Sequence, residues 1–192
     1  GNLTRDDITI STARAILVHV HGQQPSASTQ NMPSAIALCQ AIKKSAPNLP
    51  LFISGTHPAA LPNLTLEETG ADVVIAGEGY TALDRLLSAN PPSTSVIRDS
   101  NIDSALIPIA AWDLIEHDKY RAHTWHSFTN NLDRSHYGGI YSSFSCPWSC
   151  NFCAIHAPYG GPGKGHRLLP VARVVDEIRI LVEQYGVKNL KI

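Results

Sequence analysis

Up to about residue 90, short apolar runs rich in β-branched residues alternate with stretches of helical period, and this alternation limits the fold more than any other feature. Ala15 to Val20 reads as a buried strand ending at Gly22. From Pro33 the period changes. Ala35, Leu38, Cys39, Ile42 and Ala46 recur at helical spacing, with Gln40, Lys43 and Lys44 on the other face. Leu51 to Ser54 is the next strand, closed by Gly55 and followed by a loop, Thr56-His57-Pro58. Leu66 to Thr69 reads as a short helix, Val73 to Ala76 as a third strand closed by Gly77-Glu78-Gly79, and Thr81 to Leu87 as another helix. Such alternation implies an α/β fold with a parallel sheet and right-handed crossovers. Parallel sheets bind ligands beyond the carboxyl ends of their strands, the edge where Gly22, Gly55 and the Gly77-Glu78-Gly79 run fall. Small residues there let backbone approach a ligand, although glycines also end strands for backbone reasons alone.

Chemistry concentrates further on, in Ser145-Cys146-Pro147-Trp148-Ser149-Cys150-Asn151-Phe152-Cys153. Three of the four cysteines form a Cys-x3-Cys-x2-Cys loop. Thiolates hold iron–sulfur clusters, and a four-iron cube with three cysteine ligands keeps one iron open for chemistry. A zinc site normally closes with four N or S ligands, and no second cysteine pair exists to close it; a nearby His such as His156 is the alternative fourth ligand. Cys39 stands apart in a helical apolar pattern and reads as a small core residue. A 43% hydrophobic share over 192 residues is enough for a packed core, and a net charge of −1 announces neither nucleic acid nor a membrane surface. No signal pattern and no membrane-length apolar run is present, so a cytoplasmic protein is expected.

The cysteine spacing, with Phe152 just before the last cysteine, resembles the signature of the radical S-adenosylmethionine enzymes. The resemblance implies that Cys146, Cys150 and Cys153 hold a 4Fe-4S cluster, that S-adenosylmethionine chelates its open iron, and that Phe152 lies near the adenine. One electron from the cluster then cleaves S-adenosylmethionine to a 5′-deoxyadenosyl radical. The order of the pieces, with a strand ending at Ser54-Gly55-Thr56-His57-Pro58, then Ala71 to Gly79, then the cysteine loop, looks like the cobalamin-binding subgroup of these proteins. In that subgroup a Rossmann-like corrinoid domain precedes the radical barrel, and Gly22, Gly55, His57, Gly77, Glu78 and Gly79 would line the cobalamin.

The chain departs from the subgroup pattern in four respects. Ser54-Gly55 stands where relatives usually have paired glycines, and His19 and His21 stand where Ser or Thr is frequent at the strand end. The two histidines alternate along a strand and share a side; hydrogen-bonded histidines at a core or pocket edge are expected there rather than cobalt ligands. The Asp-x-His-x-x-Gly loop that supplies a lower cobalt ligand in some corrinoid proteins is absent from the sequence. The first strand and helix of the corrinoid fold are not seen either, from which the chain is expected to start inside a longer protein.

From Asn90 to about Arg134 periodicity weakens, and the stretch reads as a connector in which Ile109 to Ile115 forms a helical turn. His117, His123, His126 and His136 are irregularly spaced and read as packed or solvated residues rather than metal ligands. Gly139 to Phe144 reads as the strand delivering the cysteine loop. The Gly-rich run Tyr159 to Arg167 lacks the Gly-Lys-Ser/Thr ending of a phosphate-binding loop, and Arg167 fits the Arg that precedes the first barrel helix in relatives. Val171, Val174, Val175, Ile178, Leu181, Val182 and Tyr185 draw a clear amphipathic helix between Pro170 and Gly186, before a strand over Val187 to Ile192.

The expected organisation is a partial cobalamin-binding Rossmann-like domain over 1–90, a linker over 91–135, and the start of a radical S-adenosylmethionine (β/α) barrel over 136–192. The resemblance implies an enzyme, with methyl transfer to an unactivated carbon as one outcome, a small-molecule or peptide substrate, and a reductant such as flavodoxin or ferredoxin. The alternatives are an iron–sulfur electron-transfer or corrinoid-binding module without radical catalysis, and a structural zinc protein.

Overall fold

The computed structural model describes residues 13–22, 25–88, 95–99, 102–122 and 134–192. His123, His126 and the Asn90-Pro91-Pro92-Ser93 opening of the connector lie outside the described residues. The chain divides into two compact units, Gly1–Ile102 with Ser145–His166, and Asp103–Phe144 with Arg167–Ile192.

The first unit is built on a parallel sheet of β1 (Ile16–Val20), β2 (Leu51–Gly55), β3 (Val73–Ile75) and β4 (Ser95–Ile97), in the order β1-β2-β3-β4. Its pleat sorts the apolar residues to two faces. Val18, Val20, Leu51, Ile53 and Val74 face the helices α1 (Pro25–Ser45) and α3 (Pro62–Thr69), which contribute Met32, Ala35, Cys39, Ile42 and Leu66. Phe52, Val73 and Ile75 face the opposite way, against Ala82 and Leu86 of α4 (Tyr80–Ser88). Burying each of these larger side chains is worth about 1.5–3 kcal/mol. The result is a Rossmann-like three-layer arrangement.

Local expectations are corrected at four points. Helix α1 begins at Pro25 and carries Pro33 inside it. Pro33 removes one backbone donor, yet Ser28, Met32, Ala35, Cys39 and Ile42 are buried along one face on both sides of it, so packing carries the helix through. Thr56-His57-Pro58, read as loop, opens a short helix α2 (Thr56–Ala60) with Thr56, Pro58 and Ala59 buried. Pro58 falls in its first turn, where no backbone donor is needed. Ser95–Ile97, inside the stretch read as connector, pairs in parallel with β3 as the fourth strand. The Gly139 to Phe144 strand is two short ones, β5 (Tyr137–Gly139) and β6 (Ser143–Phe144).

The second unit contains a parallel β/α/β arrangement. Strand β5 pairs in parallel with β8 (Asn189–Lys191), and the amphipathic helix α5 (Val171–Glu183) lies between them in sequence. Leu181, Val187 and Ile140 form the core, with Trp112, Val174, Ile178 and Tyr185 against it. Strand β6 pairs antiparallel with β7 (Arg167–Leu168), so a two-stranded ribbon brackets the cysteine loop in sequence. The expected helical turn over Ile109 to Ile115 is present as a 3-10 turn at Trp112–Leu114.

Trp112 anchors that turn to α5. Its indole Nε1 donates to Glu177 Oε1 at 2.9 Å, and Arg173 Nη1 donates to Glu177 Oε2 at 3.1 Å. Arg173 also donates to the carbonyls of Ile107 and Pro108, tying the segment before the turn to the same helix. Glu177 is buried, so each lost donor leaves part of a buried carboxylate unsatisfied. Trp112→Phe is expected to lower stability by about 1.5–3 kcal/mol, read as the shift in a urea unfolding midpoint. A shift equivalent to less than ~0.5 kcal/mol would mean that this hydrogen bond contributes nothing net.

His117 and His136 are packed as expected. His117 is buried, lies 2.9 Å through Nε2 from the Trp112 carbonyl, and stacks on Tyr185 at 4.1 Å between ring centroids. His136 pairs with Asp118 at 3.2 Å and with Ser135 Oγ at 3.1 Å. Among the described residues no helix is long and apolar enough to cross a membrane.

Candidate cofactor site at the sheet edge and the cysteine loop

The carboxyl ends of β1 and β2 carry a connected set of hydroxyls and imidazoles. His19 and Ser54 are direct neighbours across the two strands, with His19 Nδ1 2.8 Å from Ser54 Oγ. The rings of His19 and His21 stack at 5.5 Å between centroids, as expected for strand residues sharing a side. Burial, and secondarily the neighbouring His21, hold the His19 imidazole below the usual histidine range. Ser28 Oγ on α1 donates to the Val20 carbonyl at 2.6 Å and accepts from the His57 backbone N–H at 3.0 Å. His57 Nδ1 lies 3.1 Å from Thr29 Oγ1, and Asn31 donates to the His21 carbonyl. The end of β1, the first turns of α1 and the start of α2 are thus joined at one edge.

The glycines of this edge have structural reasons of their own. Gly55 has φ +133°, and a Cβ there would lie 2.0 Å from the Val20 carbonyl oxygen. A Cβ on Gly77 would lie 1.6 Å from the Asp99 carbonyl oxygen, because that carbonyl accepts the Glu78 N–H at 2.7 Å. The Asp99 carboxylate then caps α4, accepting from Thr81 Oγ1 at 2.6 Å and the Ala82 N–H at 2.8 Å. The sequence reading missed Asp99, since its role depends on β4 returning it to the start of α4. Gly22 and Gly79 sit at the same edge, and Glu78 is half-buried between buried Gly77 and Gly79.

The cysteine loop packs with this unit rather than with the strands that flank it in sequence. Its 3-10 segment Ala154–Tyr159 lies against α2, with His156 only 3% exposed and its Nδ1 without a hydrogen-bond partner. Ser145, at φ +63°, donates through Oγ to the Lys164 carbonyl at 2.9 Å and closes the base of the loop. A turn from the Cys153 N–H to the Cys150 carbonyl, 3.2 Å long, joins two of the cysteines. All three loop thiols are free; Cys146 and Cys153 are half-buried and Cys150 is exposed. Trp148 and Phe152 stand out at 71% and 88% exposure. Cys39 is a core residue as expected, its thiol pushed up to about 11 by burial.

The donor chemistry of the loop, three free thiols within eight residues, fits an iron–sulfur cluster with one open iron. Among the described residues no three His, Cys, Asp or Glu side chains are gathered to hold a metal, so neither the three thiols nor a set including His156 converges in this structure. At the sheet edge, the hydroxyls and imidazoles of His19, Ser54, Ser28 and His57 are hydrogen-bonding groups of the kind that suit the amide-rimmed periphery of a corrinoid, so these residues fit cobalamin.

Residues 9–87 match the model of the B12 binding domain family. The uncharacterized methyltransferase PH0819 of Pyrococcus horikoshii is 28% identical over 189 residues, covering 86% of this chain and 38% of that protein. The hopanoid C-2 methylase of Rhodopseudomonas palustris is 26% identical over 143 residues, covering 71% of this chain and 23% of that protein. Among solved structures, the radical S-adenosylmethionine methyltransferase TsrM from Kitasatospora setae, with tryptophan substrate and the analogue aza-SAM bound, superposes with a TM-score of 0.58. The match has 16% identity and covers 93% of this chain and 36% of that one, a likeness of fold. The chain is thus similar to a B12 binding domain and to methyltransferases, and it spans less than two fifths of each of these relatives.

Proposed function

We propose that this chain holds the cobalamin and begins the cluster site of a B12-dependent radical S-adenosylmethionine methyltransferase. The observation that carries the reading is the packing of the cysteine loop, through Ala154–Tyr159, onto α2 at the carboxyl edge of a B12-binding sheet. Cys146, Cys150 and Cys153 would hold a 4Fe-4S cluster as thiolates, and Phe152, exposed on the loop, would lie beside the adenine of S-adenosylmethionine. Gly22, Gly55, His57, Gly77, Glu78 and Gly79 would border the corrinoid. The bound groups supply reductive cleavage of S-adenosylmethionine to a 5′-deoxyadenosyl radical and methyl transfer to an unactivated carbon. The chain's own part is to place the two groups on one packed unit and to keep water from the radical. The second unit's parallel β/α/β pair supports a reading as the first repeat of a (β/α) barrel, whose loops at the strand ends build the substrate site. A small molecule or peptide as substrate, flavodoxin or ferredoxin as reductant, and a cytoplasmic setting complete the proposal.

Anaerobic reconstitution with iron and sulfide, followed by low-temperature electron paramagnetic resonance, tests it. The reduced protein is expected to give a four-iron signal that changes when S-adenosylmethionine is added. A cluster indifferent to S-adenosylmethionine would replace the reading with electron transfer, and one bound zinc in place of iron would replace it with a structural metal site.

A further inference from the structure

We propose that Ser145 is a positioning residue for the cluster ligand Cys146, tying the entry of the cysteine loop to the same anchor that holds its exit; the inference rests on the cluster reading above. Ser145 has φ +63°, and among the described residues His136 is the only other non-glycine residue with positive φ. Serine rarely enters that left-handed region, because its Cβ crowds the following carbonyl oxygen. A side-chain bond holds it there: Ser145 Oγ donates to the Lys164 carbonyl, 19 residues further on, at 2.9 Å. The conformation fixed at Ser145 sets the direction in which the chain leaves toward Cys146, its immediate neighbour.

The tether leads back to the other end of the loop. The Lys164 N–H donates to the Gly161 carbonyl at 3.1 Å, and the Gly161 N–H donates to the His156 carbonyl at 3.2 Å. His156 is 3% exposed and belongs to the segment Ala154–Tyr159, which lies against α2 and starts directly after Cys153. Both ends of the loop are therefore fixed to one buried point. The glycine turn also lies on the stretch between them, where a Cβ on Gly163 would come 3.0 Å from Ser149 Oγ. Exposure follows the tethers: Cys146 and Cys153 at the ends are half-buried, and Cys150 between them is exposed. The movement that would bring the thiols together thus falls on the middle of the loop, with Cys146 and Cys153 as its fixed ends.

Three substitutions separate the bond from the backbone conformation. Ser145→Ala removes the donor, Ser145→Gly removes the donor but enters the left-handed region freely, and Ser145→Asn tolerates that region and brings an N–H donor of its own. The purified proteins are reconstituted anaerobically with iron and sulfide, and the rate at which an iron chelator strips the cluster is followed by absorbance. Ser145→Ala and Ser145→Gly are expected to lose iron about ten-fold faster than the unsubstituted protein, while Ser145→Asn stays close to it. The clusters that remain in Ser145→Ala should also show shifted g-values in low-temperature electron paramagnetic resonance, a change that loss of folded protein alone does not produce. A chelation rate in Ser145→Gly equal to that of the unsubstituted protein overturns the inference and leaves the cluster reading intact. Absence of any cluster from the unsubstituted protein overturns both. Because Ser145→Gly relieves the backbone at this position, it keeps the test decisive even if Ser145→Ala fails to fold.

Discussion

Gly55→Ala is expected to cost more than about 4 kcal/mol, a large fraction of the about 5–15 kcal/mol total stability typical of a domain. Two independent penalties meet at this residue. Its φ of +133° with ψ of −178° is a backbone region that essentially only glycine enters, at about 1–3 kcal/mol for any other residue. The added Cβ would also lie 2.0 Å from the Val20 carbonyl oxygen and 2.8 Å from its carbon, atoms of the neighbouring strand that move only if the sheet opens. Gly55 ends β2 and precedes α2, so yielding there would shift the helix on which the cysteine loop rests. Circular dichroism with urea titration reads the result, and a loss of less than about 1 kcal/mol would mean the junction is far more plastic than its geometry implies.

Cys150→Ala is expected to remove the cluster altogether, as are Cys146→Ala and Cys153→Ala, while Cys39→Ala leaves it in place. A cluster of about four irons with only three protein ligands has none to spare, so losing one should take iron content from roughly four per chain to near zero. Cys39 is fully buried in the first core with its thiol pushed up to about 11, and it has no thiolate to offer. Iron and sulfide analysis after anaerobic reconstitution separates the two classes. Retention of iron by Cys150→Ala, or its loss from Cys39→Ala, would show that the loop is not the ligand set. The three thiols do not converge in this structure, so holding a cluster as proposed would require the loop to close, and the exposed Cys150 has the most room to move.

Much of the site was legible because its signals are local. The cysteine spacing survives any packing, and His19 and His21 share a side because strand residues two apart always do. Helix α5 was read almost to the residue, since its apolar stripe runs unbroken between Pro170 and Gly186. Where a local signal opposed the tertiary one, the reading failed. Pro33 is a helix starter by propensity, yet buried residues on both of its sides carry α1 back to Pro25. Strand β4 is only three residues long and has no alternation to detect; it exists because β3 offers a free edge beside it.

The sequence by itself determined the alternation of strands and helices, the two-faced sorting of the sheet residues, the three-thiol loop and the match of its N-terminal part to the B12 binding domain family. Each of these depends on neighbours within a few residues or on a period that the chain repeats. Only the tertiary structure decided that the cysteine loop packs with the sheet unit, that Asp99 returns to cap α4, and that Ser54 meets His19. Those pairings join residues from 17 to 35 positions apart, or a whole segment to a distant helix, and are selected by burial and hydrogen-bond satisfaction across the fold, which no local pattern encodes.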